Sequence, residues 1–344
     1  MVIRFHQTRS TRALLRAFHT TPKFLDATPT EPSTAAASVA APAPTATTTS
    51  PYPNMAVVGL GLMGHGIAQI AATSGIHSTI IAYENNEASL TNGRNRIETS
   101  VMKLVQKGRM TEEDADAALS KIKYTTNGDD LSSVDLVVEA VVEDITVKKQ
   151  LYGEFLSNIC KPECVFASNT SSLSITEMAL LSDRPQKFVG LHFFNPVQIM
   201  KLVEVIRTEH TDARVFEDMV DWVQGVEKVA VTCGDTPGFI VNRLLVPGLM
   251  QAMSMLDRRD ASVRDIDLSL QLGAGHPMGP LHLSDYIGLD TVHSITKGWM
   301  DKYPDEPAFV MPNCLQEKVD NGEFGRKTGK GFYHWKGDRR GDPV

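Results

Sequence analysis

Residues 190–205 read GLHFFNPVQIMKLVEV, a mostly apolar stretch that carries one histidine, His192, and one glutamate, Glu204. A carboxylate taken into apolar surroundings without a partner is costly, so both groups need satisfaction. KFVGLHFFN (187–195) and KLVEVIRT (201–208) are each strand-like, with Pro196 at the break between them. Strands so joined are expected to be neighbours, and the spacing from 192 to 204 suits a return path that brings the two side chains together. A carboxylate bonded to one imidazole nitrogen fixes the tautomer, stabilises the imidazolium and leaves the other nitrogen as a base. Such a pair serves either a core or a reaction.

What a reaction would draw on lies upstream. In MAVVGLGLMGHGIAQIAATSGIHSTIIAYE (55–84), the apolar run Met55 to Val58 enters Gly59-Leu60-Gly61-Leu62-Met63-Gly64. A helical pattern follows through Ile67, Ile70 and Ala71, and a second apolar run, Thr79 to Tyr83, ends at Glu84. The three glycines suit a tight turn, backbone approach to a pyrophosphate and close helix–strand packing. Free N–H groups at the helix start would face the phosphates. The strand before, the helix after and the acid about 20 residues on give the motif its weight. Glu84 can accept from a ribose hydroxyl and would repel a 2′-phosphate. Asn85, Asn86 and Glu87 include no arginine to welcome that phosphate, which predicts NAD over NADP.

The alternation continues with DLVVEAVVED (135–144), a helical stretch from near Thr146, and VFASNTSS (165–172). Buried strands separated by helices predict a doubly wound parallel sheet. Functional groups in such sheets gather at the carboxyl ends of strands. That places Glu143 and the Asn169-Thr170-Ser171-Ser172 turn beside a cofactor crevice, although Ser172 reads equally well as a helix cap. Near 235 the pattern changes. DTPGFIVNRLLVPGLMQAM opens on a capping signal, Asp235 or Thr236 before Pro237 at a first helical position. Helical periodicity then persists to about 325. On the first of these helices Phe239, Asn242, Leu245, Val246 and Leu249 share a stripe, and the amide needs either a core partner or a cleft.

The fold class expected is therefore α/β: an N-terminal doubly wound Rossmann-type domain (54–235, with a helical arm about 87–121) and a C-terminal all-α domain (236–335). Residues 336–344 read as a loose tail. With 344 residues, 42% of them hydrophobic, the chain can fill two cores. A net charge of -7 leaves no basic surplus for nucleic acid. No apolar run approaches the roughly 20 residues that span a bilayer. The first 53 residues differ in kind. Arg4, Arg9, Arg12, Arg16 and Lys23 precede the first acid, Asp26, and Arg9, Arg12 and Arg16 share a helical face. That is the composition of a mitochondrial transit peptide, with a merely disordered tail as the alternative. The Ala/Thr/Pro-rich stretch behind it reads as a disordered linker. Cys160, Cys164, Cys233 and Cys314 lack zinc-ligand spacing, so neither a metal nor a disulfide is expected.

Taken together, GLGLMGHGIAQ, DLVVEAVVE, FASNTSSL, GLHFFNPVQIMKLVEV, DTPGFIVNRLLVP, LGAGHPMGP and FGRKTGKGFY stand in the order found in L-3-hydroxyacyl-CoA dehydrogenases. The resemblance runs from near Asn54 to Trp335 and is to the monofunctional mitochondrial short- and medium-chain type. It implies NAD-dependent oxidation of an L-3-hydroxyacyl-CoA to the 3-ketoacyl-CoA, in the fatty-acid β-oxidation of the mitochondrial matrix. It implies that His192 takes the hydroxyl proton, that Glu204 holds His192, and that Ser171 and Asn242 bond the reacting oxygen or the histidine. It places cofactor contacts on Gly59 to Gly64 (Leu60, Gly61, Leu62 and Met63 included), Glu84, Glu143, Lys148, Ser171, Asn195 and Lys327. CoA contacts fall on Ser100, Lys107 and Ser171. Lys103 and Lys107, one turn apart on the arm, would meet CoA phosphates or form an ordinary solvated face. A homodimer through the helical domain is implied as well.

Two departures stand out. The acid after the second strand is Glu84 where such enzymes often have aspartate. The third glycine is followed by His65, a helix-start contact or mere bulk, rather than by a small residue. Two other readings compete. The β-hydroxyacid dehydrogenases, which act on free acids, share the GLGxMG start, but LHFFNP stands where their glycine-rich substrate block would be. A catalytically weak NAD-binding protein like the related lens crystallins would have no need of His192, Glu204, Ser171 and Asn242.

Overall fold

The computed structural model describes residues 50–344, so the targeting segment read from the first 49 residues lies outside the described part. The chain opens with β1 (Asn54–Val58), α1 (Gly64–Thr73), β2 (Thr79–Tyr83), the helical arm α2 (Glu87–Gln106) and α3 (Glu112–Ser120), then β3 (Ile122–Thr125). It continues through β4 (Leu136–Glu139), α4 (Ile145–Gln150), β5 (Val165–Ser168), α5 (Ile175–Leu181), β6 (Phe188–Phe193), β7 (Leu202–Arg207), α6 (Ala213–Gly225) and β8 (Val229–Gly234). These strands make one eight-stranded sheet in the order β3-β2-β1-β4-β5-β6-β7-β8. Pairing is parallel as far as β6, β7 runs antiparallel to β6, and β8 runs parallel to β7.

Strand periodicity divides the core between the two faces of the sheet. Met55 and Val57 pack with Ile67, Ile97 and Trp222 on one side. Ala56 and Val58 pack with Val137, Tyr152, Phe166 and Met178 on the other. All four residues of β4 and of β5 are buried, as central strands covered by helices on both faces must be. Helix starts follow local chemistry: Asn86 caps α2 through Ser89 N (2.8 Å), and Asp144 caps α4 through Thr146 N (2.7 Å).

The fold begins earlier than the sequence predicts. Residues 50–53, read as linker, belong to it, because Tyr52 is only 6% exposed and inserts into the sheet-face core. The Tyr52 carbonyl meets buried His77 at Nδ1 (2.8 Å), and Trp222 Nε1 donates to His77 Nε2 (3.0 Å). A carbonyl only accepts and an indole N–H only donates, so this slot fits the neutral ring alone. Burial, partly opposed by the Tyr52 carbonyl, pushes the imidazole down to about 4 from its ordinary 6.5. The folded state therefore prefers neutral His77. Its stabilisation is complete above about pH 6.5 and is lost as pH falls through about 4, a change of about 3 kcal/mol. Urea titrations from pH 7 to 4 should show that loss in the wild type, and His77→Gln should lack it.

The rest of the chain is mostly helical: α7 (Val241–Asp257), α8 (Val263–Ala274), α9 (Pro280–Ile287), α10 (Leu289–Lys302) and α11 (Asn313–Asp320). Two expectations change here. Residues 336–344 are not a loose tail, since β9 (Tyr333–Lys336) and β10 (Arg339–Pro343) form an antiparallel hairpin. Buried Asp285 anchors it by accepting from Phe332 N, Tyr333 N and Trp335 Nε1 at 2.8–2.9 Å. Nor does Pro237 open a helix, because α7 starts at Val241. Asp235 caps a different helix, its carboxylate accepting from Ile175 N (3.1 Å), Thr176 N (2.8 Å) and Ser174 Oγ (2.7 Å) at the start of α5.

Candidate active site

The turn after β1 forms the cradle that the glycine pattern predicts. Gly59 sits at φ +91°, where a side chain would be strained and a Cβ would lie 2.8 Å from the Ala140 carbonyl. Gly64 opens α1 against that same turn, its would-be Cβ 1.7 Å from the Gly59 carbonyl oxygen. Gly61 has open space instead. Glu84, just past β2, accepts from Leu60 N at 2.6 Å and so braces the turn. A cleft of about 820 Å³ lies over Gly59, Gly61, Glu84 and Ala140, at the carboxyl ends of β1, β2 and β4. Open backbone at a helix start, a carboxylate one strand over and an apolar wall fit a dinucleotide.

A serine-rich loop follows β5. Glu143 gathers it, accepting from Thr170 Oγ1 (2.5 Å), Ser171 N (3.0 Å) and Ser172 Oγ (3.2 Å), with Ser171 Oγ at 3.5 Å. Burial would raise the Glu143 carboxyl, but Lys148 and the Thr170 hydroxyl outweigh it and hold the group below the usual carboxylate range. Lys148 is only 1% exposed and places its ammonium between Glu139 Oε2 (3.1 Å) and Glu143 Oε2 (2.9 Å). It therefore positions Glu143 from behind instead of presenting its charge to the cleft. Glu139, which the sequence reading passed over, is fully buried and also accepts from Val141 N (2.8 Å), Ser168 Oγ (2.6 Å) and Tyr152 Oη (3.1 Å). Its signal was available: a carboxylate inside the apolar run LVVE needs several donors.

β6 and β7 pair with His192 directly opposite Glu204. Residues so placed project to the same face of the sheet within side-chain reach. Glu204 Oε2 meets His192 Nδ1 at 2.6 Å. Its other oxygen accepts from Ile240 N (3.0 Å) and Val241 N (2.8 Å), the first free amides of α7. Burial would raise this carboxyl, yet the imidazole and the amides prevail and it lies below the usual range. Because a carboxylate only accepts, Nδ1 must carry a proton, which leaves Nε2 as the ring's available atom. Phe194 and Phe239 flank the ring at centroid distances of 4.4 and 5.7 Å. Phe239 holds a left-handed backbone (φ 55°), a strain of about 1–3 kcal/mol beside the site.

Asn242, one residue beyond the Glu204 contact, donates Nδ2 to the Ser171 carbonyl (3.2 Å) and joins α7 to the serine loop. The sequence left a core partner and a cleft open for this amide, and the loop is its partner. Neither Asn242 nor Ser171 bonds the histidine directly. Asn169 Oδ1 accepts from Phe193 N (3.0 Å) and ties the same loop to β6. Ser171 and Glu143 also line a second cleft, of about 740 Å³, against α10 residues that include Ile295, Trp299 and Lys302. Lys327 pairs with Asp290 (2.8 Å) and Thr291 (3.0 Å), two residues of that cleft's wall, and does not line the Glu84 cleft. Asn195 is exposed on the β6–β7 connection. Lys228 steadies that connection by donating to the Val197 (2.6 Å) and Met200 (3.0 Å) carbonyls, a role the sequence did not disclose.

On the arm, Ser100 lines a basin of about 630 Å³ with Arg96, Lys103, His65 and Gln198. Lys107, expected there, ends α2 as its C-cap and does not line the basin. Among the described residues, no group of three or more His, Cys, Asp or Glu could hold a metal ion, and the four cysteines are free thiols.

Two family models match the chain in succession: the 3-hydroxyacyl-CoA dehydrogenase NAD binding domain over residues 54–236 and the C-terminal domain over residues 238–335. The chain is 45% identical over 289 residues to human mitochondrial hydroxyacyl-coenzyme A dehydrogenase, covering 82% of this chain and 91% of the human one. It is 44% identical over 280 residues to a Mycobacterium tuberculosis 3-hydroxybutyryl-CoA dehydrogenase, covering 80% and 96%. The crystal structure of (S)-3-hydroxybutyryl-CoA dehydrogenase from Ralstonia eutropha superimposes with a TM-score of 0.79 at 35% identity, covering 83% of this chain and 99% of that one. With both halves matched in order and the paired histidine and glutamate facing each other across β6 and β7, the chain belongs to the 3-hydroxyacyl-CoA dehydrogenase family.

Proposed function

We propose that this chain oxidises an L-3-hydroxyacyl-CoA to the 3-ketoacyl-CoA, as an NAD-dependent dehydrogenase of fatty-acid β-oxidation in the mitochondrial matrix. The observation that carries the reading is the buried His192–Glu204 pair, whose carboxylate also caps α7. NAD, held by the Gly59–Gly64 turn and Glu84, supplies the hydride acceptor. His192 Nε2 takes the hydroxyl proton, and Glu204 stabilises the imidazolium that results. Ser171 and Asn242 hold the reacting oxygen, while Glu143, kept in place by Lys148, aligns the serine loop that lines the second cleft. Asn195 and Lys327 reach the cofactor from the rims. The arm basin, with Ser100 and Lys103, takes the phosphates of CoA, and Lys107, at the end of α2 outside the basin, approaches the same substrate from beyond it.

Two further readings have specific support. Leu244, Gly248, Gln251 and Met255 form an exposed stripe along α7, with Leu244 73% exposed, which suits a second copy of the chain. The matrix location rests on the Arg-rich, acid-poor N-terminus and on relatives named as mitochondrial in human, pig, rat and mouse. No helix among the described residues is long and apolar enough to cross a membrane.

The deciding assay follows NADH absorbance with acetoacetyl-CoA and with acetoacetate. Consumption with the thioester alone is expected. Turnover of free 3-hydroxy or 3-oxo acids without turnover of the thioester would instead favour the free-acid dehydrogenase reading.

A further inference from the structure

His65 is the residue for which the family resemblance offers no role. It half-buries its ring one residue past the third glycine and lines the arm basin across from α2. Its Nδ1 lies 2.7 Å from the Gly61 carbonyl. A carbonyl only accepts, so Nδ1 carries a proton and the ring's variable atom is Nε2, which has no protein partner among the described residues.

The basin has a distinct electrostatic character. Arg96, Ser100 and Lys103 recur at helical spacing on one face of α2, while Leu90, Gly93, Ile97 and Val101 are buried on the other. No carboxylate lines it, and neither Arg96 nor Lys103 is in an ion pair among the described residues. By contrast, Arg94 on the same helix is paired with Glu98 at 2.7 Å. The charged groups that face His65 are therefore Arg96 and Lys103, and the β6–β7 connection contributes only neutral Gln198. This arrangement has the charge and donors that suit a phosphoryl dianion.

We propose that His65 is a proton-coupled third cation of this basin: it takes a proton at Nε2 when a phosphate of the acyl-CoA binds. Neutral, Nε2 offers a lone pair that repels phosphate oxygens. Protonated, it donates a charge-assisted hydrogen bond, so substrate binding and proton uptake are thermodynamically linked. The inference rests on the acyl-CoA reading above. It makes His65 a determinant of affinity for the nucleotide end of the substrate.

The test uses the full-length protein with bound NAD. Calorimetric titration with CoA at pH 7, in buffers of different ionisation enthalpy, counts the protons taken up. The wild type should take up more than His65→Asn or His65→Ala. The KM for acetoacetyl-CoA should be several-fold higher in both variants at pH 6 and should converge with wild type at pH 8.5. Acetoacetyl-pantetheine, which lacks the phosphates, should show no such dependence on residue 65. Equal proton uptake in wild type and variants, or a KM ratio that ignores pH, overturns the inference while leaving the dehydrogenase reading intact. An effect on the KM for NADH instead overturns it by assigning His65 to the cofactor pyrophosphate. A wild type that binds no CoA overturns both.

Discussion

His192→Ala should lower kcat by about 10²–10⁴, the usual scale for losing a general base, while NADH binding stays near the wild-type level. The separation of effects follows from the fold. The Gly59–Gly64 turn and Glu84 belong to β1, α1 and β2, whereas His192 stands on β6, three strands from β1 in the sheet order. Truncating the ring removes the proton acceptor without touching the cradle. Stopped-flow absorbance of NADH formation, paired with fluorescence titration of NADH, reads the two effects independently. Near-normal turnover in this variant would remove His192 from the chemistry. Lost NADH binding would show that the ring holds the cofactor site together.

Glu204 should be the more damaging position for the protein as a whole. Its carboxylate accepts from three donors at once: His192 Nδ1 on one oxygen, Ile240 N and Val241 N on the other. Glu204→Ala leaves a buried imidazole unanchored and the start of α7 uncapped. Losing one partner of a buried pair typically costs about 3–5 kcal/mol, and a lost cap about 1 more. Urea denaturation should register a loss in that range. Glu204→Gln is subtler because an amide offers one accepting oxygen and one donating nitrogen. Either the nitrogen confronts the α7 amides, or it faces Nδ1 and forces the opposite tautomer on the ring. Turnover should fall on the order of 10²–10⁴ in the second case, with a smaller stability loss than in the alanine variant. The Glu204 carboxyl is held below the usual carboxylate range, so its contribution to stability is present above its ordinary value of 4.5 and fades as pH falls through the lower folded value.

Much of this was legible in the residues themselves. Each run that the alternation marked as a strand, from Met55–Val58 to Leu202–Arg207, forms one, because apolar runs bounded by turn residues have few other ways to bury themselves. The His192–Glu204 pairing followed from an antiparallel return whose register sets one residue opposite the other. Other features depend on tertiary placement. Asp235 reads locally as the cap of the helix after it, yet its carboxylate reaches back about sixty positions to α5. Lys148 carries the charge of a ligand contact but is enclosed by two carboxylates. Lys107 and Lys103 look equivalent by spacing, but α2 ends between them, and only Lys103 faces the basin. The Arg339–Pro343 strand is polar and every residue in it is exposed, so no hydrophobic pattern announced it.

The central claim concerns one ring: His192 must carry its proton on Nδ1, toward Glu204, and keep Nε2 bare for the substrate. A two-bond proton–nitrogen correlation spectrum of ¹⁵N-histidine-labelled protein at pH 8, with His192 assigned by its disappearance in His192→Ala, observes this directly. The expected spectrum shows a protonated Nδ1 and an unprotonated Nε2. A ring protonated at Nε2 alone would have no base to offer, and the account would fail.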